Sequence, residues 1–438
     1  MRALYPPFIR LTGTIAYMLL GCLFSTPGAS AAPPTAHREL PEFLLGGIQI
    51  REPDQSVWIS ALDREGMNAV SVTTYAEQGA WDTDAISFDP NDHEAISQIR
   101  SARKAGMTVV FIPRVRLAVS EPRNRFAWHG MIMPLGDEQL TSWFKRYSDF
   151  ILTWAKVCES EGVEVFALGS ELTELTSTTP LKEYSPLHTF YLESPLIKNP
   201  HVDDSQSAHR TWAAAVTFEG SGDTATRVKL INRQRKKLEG LWRTLVTDLR
   251  TVFTGRITYA ANFDGYKNVS FWNDLDLVGI NAYFELRESE TVAAKGKELS
   301  TKLVAGWSAA LNSIEVYLKE FSIERPVLFT EVGYTRRRGS TVYPWDHEGI
   351  RQRLEPIFDD TERVLAVQAL AVALKRNTVH FLRGLLYWRL STMEREREYE
   401  PYLAVLGSRE DKELFNALRA VAAIAGSSEP PPSKDRTQ

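Results

Sequence analysis

The feature of this sequence that most constrains its fold is the repeated alternation of short apolar runs with helix-like segments. Eight runs are rich in apolar and β-branched residues, as strands buried on both faces of a parallel sheet are. They lie at residues 43–50, 69–74, 108–115, 163–168, 257–261, 277–283, 326–330 and 382–388. Helical patterns separate them, and one runs from a cap signal at Asp92 to a stop at Gly106. Eight such units predict an α/β fold of the (β/α)8 barrel type.

A doubly wound open sheet is the alternative fold for the same pattern. That fold carries a glycine-rich phosphate turn after its first strand, and none follows residue 50 here. The chain has 438 residues, of which 43% are hydrophobic and 24% charged. This length allows one large barrel or two to three smaller domains. We predict a single catalytic barrel domain at residues 42–425.

The N-terminal segment has the pattern of an export signal. Arg2 and Arg10 precede or flank a short apolar stretch, and Ala29-Ser30-Ala31 supplies a small-residue cleavage site. We predict a signal peptide at residues 1–31, a linker at 32–41 and export to the periplasm or the medium. Because the apolar stretch is short, no membrane span is expected in the mature chain. The alternative is a lipoprotein anchored through Cys22, which follows Leu19-Leu20-Gly21.

Charge and cysteine usage exclude several classes of protein. The formal net charge is -4, so the basic face typical of nucleic-acid-binding proteins is not expected. Only Cys22 and Cys158 are present, and the mature chain would hold Cys158 alone, packed on an apolar helical stripe. The eight histidines show no short metal-ligand spacing, and we predict no metal and no cofactor. The sequence carries no signal for an oligomeric state.

The regular alternation is interrupted once. From about residue 174 to residue 227 the chain is rich in proline and glycine and shows little periodicity. This is far longer than an ordinary βα loop, and long loops on the catalytic face commonly form lids or subsite walls. A peripheral excursion is the alternative. Glu174, at its start, is expected to be a solvated charge at the beginning of a helix. The polar, proline-rich residues 426–438 are predicted to be a disordered tail.

Two glutamates close two of the apolar runs. Glu171 ends Val163-Glu-Val-Phe-Ala-Leu-Gly-Ser-Glu171, and Glu331 ends Arg325-Pro-Val-Leu-Phe-Thr-Glu331. Carboxylates at the carboxyl ends of barrel strands lie at the barrel mouth, where barrel enzymes carry out their chemistry. A pair of carboxyls is what a retaining glycosidase needs, one as acid/base and one as nucleophile. The alternative for either glutamate is a helix cap or an ion pair with a nearby arginine.

The chain resembles glycoside hydrolase family 113, in the clan A retaining glycosidases, over roughly residues 42–425. The resemblance rests on the stretches 166–172, 257–262, 271–283 and 329–334, on Pro344-Trp345 and on Tyr387-Trp388. It implies a (β/α)8 barrel with Glu171 as acid/base after strand four and Glu331 as nucleophile after strand seven. Characterised members are chiefly β-1,4-mannanases. The chain departs from the clan at Ser170, where asparagine is common, and in the length of the segment after Glu174.

The resemblance and the strand-end positions together assign supporting roles. Tyr283 matches the tyrosine that hydrogen-bonds the nucleophile, and Trp388 the tryptophan beneath the sugar. Asn262 either binds a sugar hydroxyl or caps the next helix. Arg114 either orients a carboxylate or contacts substrate, or it forms an ion pair that lines the barrel. Ser170, Trp128 and Trp345 complete the candidate substrate-binding set, the two tryptophans as stacking platforms or as loop anchors.

The predicted function is hydrolysis of β-linked polysaccharide or oligosaccharide with retention, with mannan as the substrate that the resemblance implies. Two alternatives remain open. One is a carbohydrate-binding barrel without turnover, and the other is a hydrolase or transglycosylase that remodels the producer's own exopolysaccharide. The sequence leaves the sugar, the linkage and the choice between endo and exo action undecided.

Overall fold

Parallel strands close into a barrel at the centre of the molecule. The twelve strands of the described residues are β1 Leu44–Gln49, β2 Ala69–Val72, β3 Tyr75–Gln78, β4 Ile86–Phe88, β5 Thr108–Phe111, β6 Arg114–Leu117, β7 Val165–Ser170, β8 Arg256–Asn262, β9 Val278–Asn281, β10 Val327–Val332, β11 Leu382–Ser391 and β12 Ala404–Val405. The barrel order is β1-β2-β5-β7-β8-β9-β10-β11, and β11 pairs in parallel with β1 to close it. The eight predicted strands are therefore the eight barrel strands, and the (β/α)8 prediction is confirmed.

This computed structural model describes residues 39–49, 52–183, 203–288, 294–346 and 358–427. The predicted signal peptide, most of the linker and nearly all of the C-terminal tail lie outside these ranges, as does position 50 of the first predicted strand. Within these ranges, no helix has the length and hydropathy needed to cross a membrane.

Helices surround the barrel. Within the described residues they are α1 Gln55–Arg64, α2 His93–Lys104, α3 Asp137–Glu161, α4 Asp203–Val216, α5 Thr224–Arg250, α6 Gly296–Glu320, α7 Thr361–Asn377 and α8 Lys412–Gly426. The helix predicted after Asp92 is α2, since the Asp92 side chain accepts a hydrogen bond from the Ala95 amide (3.1 Å). Gly106 has φ +78°, a left-handed conformation that favours glycine where the chain leaves the helix.

The hydrophobic core has an inner and an outer layer, which follow from the alternation of side chains along each strand. In β7, Val165 and Ala167 point into the barrel, where they meet residues such as Leu328 and Leu386. Phe166 of the same strand lies in the outer layer between sheet and helices. Cys158 of α3 is a buried free thiol in that outer layer, as the apolar stripe predicts.

The third predicted strand, 108–115, is two strands in the structure. β5 ends at Phe111, and β6 begins at Arg114 after Pro113, whose missing N–H cannot contribute to a ladder. β6 leaves the barrel to pair with β3, and β3 with β4, in a separate three-stranded sheet. This division carries Arg114 beyond the end of the barrel strand and towards the barrel mouth.

The segment expected to lack periodicity is helical in part. Its described portion includes α4, and the long helix α5 begins at Thr224, inside the predicted limits of 174–227. Trp212 of α4 is buried, and its indole donates a hydrogen bond to the Met131 carbonyl (3.0 Å). The described part of the segment is thus packed against the loop that follows β6.

Candidate active site

Glu171 and Glu331 stand where their strands lose regular pairing. The register of β7 against β8 shifts between Ala167 and Ser170. The register of β10 against β9 shifts between Phe329 and Glu331. Irregularities of this kind commonly re-aim side chains beside active sites. Both carboxylates are thereby presented at the carboxyl ends of the fourth and seventh barrel strands.

The backbone around Glu171 is held in an unusual conformation. Gly169 has φ +150°, and a Cβ at this position would lie 2.3 Å from the Tyr147 hydroxyl, so only glycine fits. Glu171 itself has φ +55°, a left-handed conformation that costs a residue with a side chain about 1–3 kcal/mol. Its N–H donates to the Ala260 carbonyl (2.9 Å), which ties this turn to the neighbouring strand β8.

Glu331 is buried between an arginine and a tyrosine. Its side chain is 3% exposed. One carboxylate oxygen, Oε1, accepts a hydrogen bond from the Arg114 guanidinium. The other, Oε2, accepts one from the Tyr283 hydroxyl (2.7 Å). Two of the roles considered for Arg114 therefore hold together, because its ion pair with Glu331 also orients that carboxylate. Tyr283 lies where the resemblance places the tyrosine that bonds the nucleophile.

Glu171 is bound on one side by a histidine. The His129 Nε2 lies 3.0 Å from Glu171 Oε2, and the side chain of Glu171 is 14% exposed. The Asn281 side chain also hydrogen-bonds this carboxylate, and its Nδ2 donates to the Ser170 Oγ (3.2 Å). Ser170 is buried at the end of β7, so its hydroxyl helps to place Asn281 beside Glu171.

The two carboxyls have different electrostatic surroundings. Burial raises the pKa of Glu331, and the charge of Glu171 adds to this, while Arg114 and Tyr283 oppose it. Burial acts in the same direction on Glu171, but His129, Asn281 and the charge of Arg114 outweigh it, so the pKa of Glu171 is lowered. The surroundings of Glu171, the acid/base candidate, thus favour its ionised form.

The donors to Glu331 remain protonated. Burial, with the charge of Glu331, raises the pKa of Tyr283 well above its usual value, so its hydroxyl stays a donor. Burial opposes the charge on Arg114, but the neighbouring Glu331, Tyr75 and Glu171 raise its pKa overall. A permanent cation therefore faces both carboxylates at the barrel mouth.

Trp388 lies beside this pair at the end of the eighth barrel strand. The Arg114 guanidinium lies 5.2 Å from its ring centroid, and the Arg389 guanidinium 4.1 Å. A cavity of about 190 Å³ adjoins the ring. Its polar lining includes Gln49, Ser71, Thr73, Tyr75, Gln98 and Arg389. Amides, hydroxyls and a guanidinium beside an aromatic ring are suited to a ligand rich in hydroxyl groups.

The remaining predicted residues contact neighbouring residues of the loops. The side chain of Asn262, at the end of β8, hydrogen-bonds Asp264, and the Asn262 carbonyl accepts from Gly265 N–H (2.9 Å). Trp128 packs edge to face against His129 at 5.1 Å. Trp345 donates from Nε1 to Glu285 (3.2 Å). Both tryptophans are half-buried, and each contacts a neighbouring loop side chain.

The expectation for Glu174 is wrong. It lies in a turn rather than at the start of a helix, and it is half-buried. Loss of hydration raises the pKa of Glu174 to about 7, against the opposing charge of Arg235. Arg235 comes from α5, which the sequence pattern does not place beside Glu174. Within the described ranges, no group of three or more His, Cys, Asp and Glu side chains is arranged to hold a metal ion.

Fold and site together define a class. A (β/α)8 barrel with glutamates at the ends of strands four and seven, one held by arginine and tyrosine beside a tryptophan, has the arrangement of a glycosidase. The sequence matches the model of Glycoside Hydrolase Family 113 over residues 49–183 and 226–393, well over half of the chain, and the protein belongs to that family. Residues 184–225, between the matched parts, fall inside the predicted insertion.

Solved structures of similar fold include β-mannanases. The GH113 β-mannanase of Alicyclobacillus acidocaldarius, in complex with ManMIm, has a TM-score of 0.58 at 20% identity, covering 88% of this chain and 99% of its own. A GH113 β-1,4-mannanase has a TM-score of 0.55 at 18% identity, covering 88% and 99% of the two chains. At these identities the likeness shows the fold. No curated protein sequence matches this chain.

Sequence reasoning missed three residues of the site: His129, Asn281 and Asp264. Asn281 could have been recognised from the sequence as a site residue, because it ends a buried strand two residues before Tyr283. For Asp264, which follows β8, loss of hydration and then the charges of Glu171 and Glu285 raise the pKa to about 6. His129 does not lie at the end of a strand, so the sequence pattern did not mark it as a site residue.

Proposed function

We propose that this family 113 hydrolase cleaves β-1,4-linked mannan-type chains with retention, by a double displacement in which Glu331 is the nucleophile and Glu171 the acid/base. The observation that carries the assignment is the clamp on Glu331, in which Arg114 and Tyr283 each bind one carboxylate oxygen. Both donors favour the ionised form, which the nucleophile requires. Mannan is proposed because the family-113 structures of similar fold are β-mannanases.

The first step joins the sugar to the enzyme. Glu331 attacks the anomeric carbon while the bond to the leaving oxygen breaks, and Glu171 supplies the proton that this oxygen takes up. Trp388 supports the sugar ring, and the guanidinium of Arg114 holds Glu331 in line. In the second step Glu171 takes a proton from water, the water oxygen attacks the anomeric carbon, and Glu331 leaves as a carboxylate.

The cavity beside Trp388 supports a chain rather than a single sugar as substrate. It is bordered by β1, β2 and α2 and by Arg389, and none of the groups that bind Glu171 lines it. Because the leaving group lies on the side of the acid/base, this cavity would hold the part of the chain that remains on the enzyme.

The experiment that tests the function is intact-protein mass spectrometry after incubation with an activated 2-fluoro mannoside. Peptide mapping then locates the label. We expect one sugar on Glu331, because the fluorine slows release of the intermediate. The gluco analogue is the matched reagent and should label more slowly. A label on another residue would overturn the assigned nucleophile. Binding of mannan without label or turnover would favour the carbohydrate-binding alternative.

We also propose export, which the pattern of residues 1–31 supports. Expression of the full chain in a bacterial host should yield a mature protein whose first residue follows Ala31. A Cys22→Ser variant separates the two routes. It should be processed normally if Ala31 precedes the cleavage site, and should lose lipid modification if Cys22 is the anchor.

A further inference from the structure

His129 is brought to Glu171 by a loop that other parts of the chain hold in place. Its Nε2 lies 3.0 Å from Glu171 Oε2, and its ring is about one-third exposed. The Gly130 carbonyl accepts a hydrogen bond from the Glu174 amide (3.1 Å), three residues past Glu171. The next carbonyl, of Met131, accepts from the indole of Trp212 (3.0 Å). The contact between His129 and Glu171 is therefore supported from two directions.

The contact with His129 is unexpected for a general acid, because it favours the ionised form of Glu171. A general acid must carry its proton when the glycosidic bond breaks. In many glycosidases burial serves this need by raising the pKa of the acid. Here His129 and Asn281 reverse the effect of burial, and the carboxylate of Glu171 is held ionised. His129, whose Nε2 is in contact with the Glu171 carboxylate, is placed to hold that proton.

We propose that His129 is a positioning residue for Glu171 that stores, on Nε2, the proton delivered to the leaving oxygen. This inference rests on the proposed function. Imidazole is the side chain that most readily exchanges a proton near neutral pH. An imidazolium beside a carboxylate contains the same number of protons as a neutral imidazole beside a carboxylic acid. The pair can therefore act as the acid although its carboxyl is ionised at rest.

The proton balance closes over one catalytic cycle. The Nε2 proton passes to Glu171 Oε2, and a half-turn about the Cγ–Cδ bond brings the new O–H to the glycosidic oxygen. As the bond from C1 to that oxygen breaks, the oxygen takes both electrons and the proton, and Glu331 forms its bond to C1. In the second step water gives a proton to Glu171 and its oxygen to C1, and Glu331 is released. That proton returns to His129.

The charged groups that face this pair come from several elements. Glu171 is within electrostatic reach of Arg114 on β6, Glu331 on β10 and Asp264 after β8. The hydroxyls of Tyr259, Tyr283 and Tyr402 face it as well. His129 is packed against Trp128. The His129→Gln change leaves all of these in place, and a glutamine amide can still donate to Oε2, so the variant removes proton storage and keeps a hydrogen bond.

The test compares two titrations in wild-type enzyme and in His129→Gln. The first is the alkaline limb of kcat/KM on a mannoside with a poor leaving group. It should move to lower pH by about one unit or more, since carboxyls ordinarily ionise about two units below imidazole. The second is the Glu171 carboxyl in a ¹³C-labelled protein, which should titrate at higher pH in the variant because the cation beside it is gone. Opposite shifts support the proposal.

Shifts in the same direction would overturn it, because Glu171 would then hold the proton itself and His129 would only orient it. A loss of activity with no movement of either titration indicates a structural role and also contradicts it. His380→Gln is the matched control. That histidine is exposed just before β11, at the end of the barrel away from the site. It should behave as wild type in both titrations.

Proton location can also be measured without turnover. At the pH of maximal kcat/KM, the imidazole ¹⁵N signals of the wild-type protein should show His129 protonated on both nitrogens while the Glu171 carboxyl is ionised. A neutral His129 beside a protonated Glu171 would overturn the proposal even in an active enzyme. Absence of turnover and label on every mannoside would instead count against the proposed function, and the ¹⁵N result would still decide the protonation state of the pair.

Discussion

The two glutamates at the barrel mouth are held by different kinds of structure. Glu331 is 3% exposed. Of its partners, Arg114 begins β6 and Tyr283 lies two residues past the end of β9. Glu171 is 14% exposed, and its partner His129 begins a single 3-10 turn within the loop that follows β6. Burial raises the pKa of the strand-bound carboxylate, and its two donors, Arg114 and Tyr283, oppose this by favouring the ionised form. The loop-bound carboxylate has a partner that can exchange protons with it.

This difference matches what the two proposed roles demand. A nucleophile must remain ionised and in one orientation, so donors on rigid elements suit it. An acid/base must change its protonation state twice in each cycle, so a partially exposed position beside imidazole suits it. The following changes test whether the two environments are as separate as the structure indicates.

Glu331→Ala should have the largest effect. Without the nucleophile no glycosyl-enzyme forms, and turnover should fall by roughly 10⁴-fold or more, the scale seen when a nucleophile is removed. Azide should restore turnover by entering the vacated space and should yield a glycosyl azide of inverted configuration, which NMR identifies. Glu320→Ala, at an exposed glutamate ending α6, is the control. Near-normal hydrolysis by Glu331→Ala would contradict the mechanism.

Glu171→Ala should depend strongly on the leaving group. General acid catalysis contributes about 10²–10⁴-fold, so poor leaving groups should slow by that factor. Activated aryl mannosides leave without a proton, and their first step should change little. Rates measured across a series of aryl mannosides check this. An equal loss across the series would mean that Glu171 supports the fold of the site rather than the proton transfer.

Tyr283→Phe should have a smaller effect, confined to the nucleophile. Loss of one hydrogen bond to a charged group costs about 1.5–3 kcal/mol, or roughly 10–100-fold in kcat/KM. The removed hydroxyl favours ionised Glu331, so the pKa of Glu331, already raised by burial, should rise further. Since Glu331 acts as a carboxylate, the acid limb of kcat/KM should move to higher pH. The exposed Tyr399→Phe is the control, and an unmoved acid limb would refute the expectation.

Gly130→Ala should have the smallest effect and should act through the loop. A Cβ at Gly130 would lie 2.2 Å from the Trp128 ring, so this ring, which packs against His129, must shift. Overpacking of this kind costs about 1–3 kcal/mol of folding free energy, measured by denaturant unfolding. Activity on poor leaving groups should fall several-fold. Gly240→Ala, in α5 with open space around it, should be neutral or stabilising. Unchanged activity in Gly130→Ala would show that the loop tolerates the shift.

Much of the fold follows from local pattern. Apolar β-branched runs predict all eight barrel strands, because a strand that is buried on both faces of a parallel sheet is apolar throughout, whatever its neighbours are. The cap at Asp92 and the stripe containing Cys158 are local in the same way. The error at 108–115 came from a change of partner, since β6 keeps the extended pattern of β5 while it pairs in another sheet. The pattern gives the conformation of a residue and not the identity of its neighbour.

The sequence by itself determined the barrel, its strand-end glutamates and its membership of family 113, because periodicity and short motifs are properties of neighbouring residues. The tertiary structure alone decided which side chains face Glu171. His129 reaches it only because Gly130 and Met131 are bound by Glu174 and by Trp212 of α4, which come from distant parts of the chain. Contacts of this kind depend on how loops close over the barrel, and no local pattern records them.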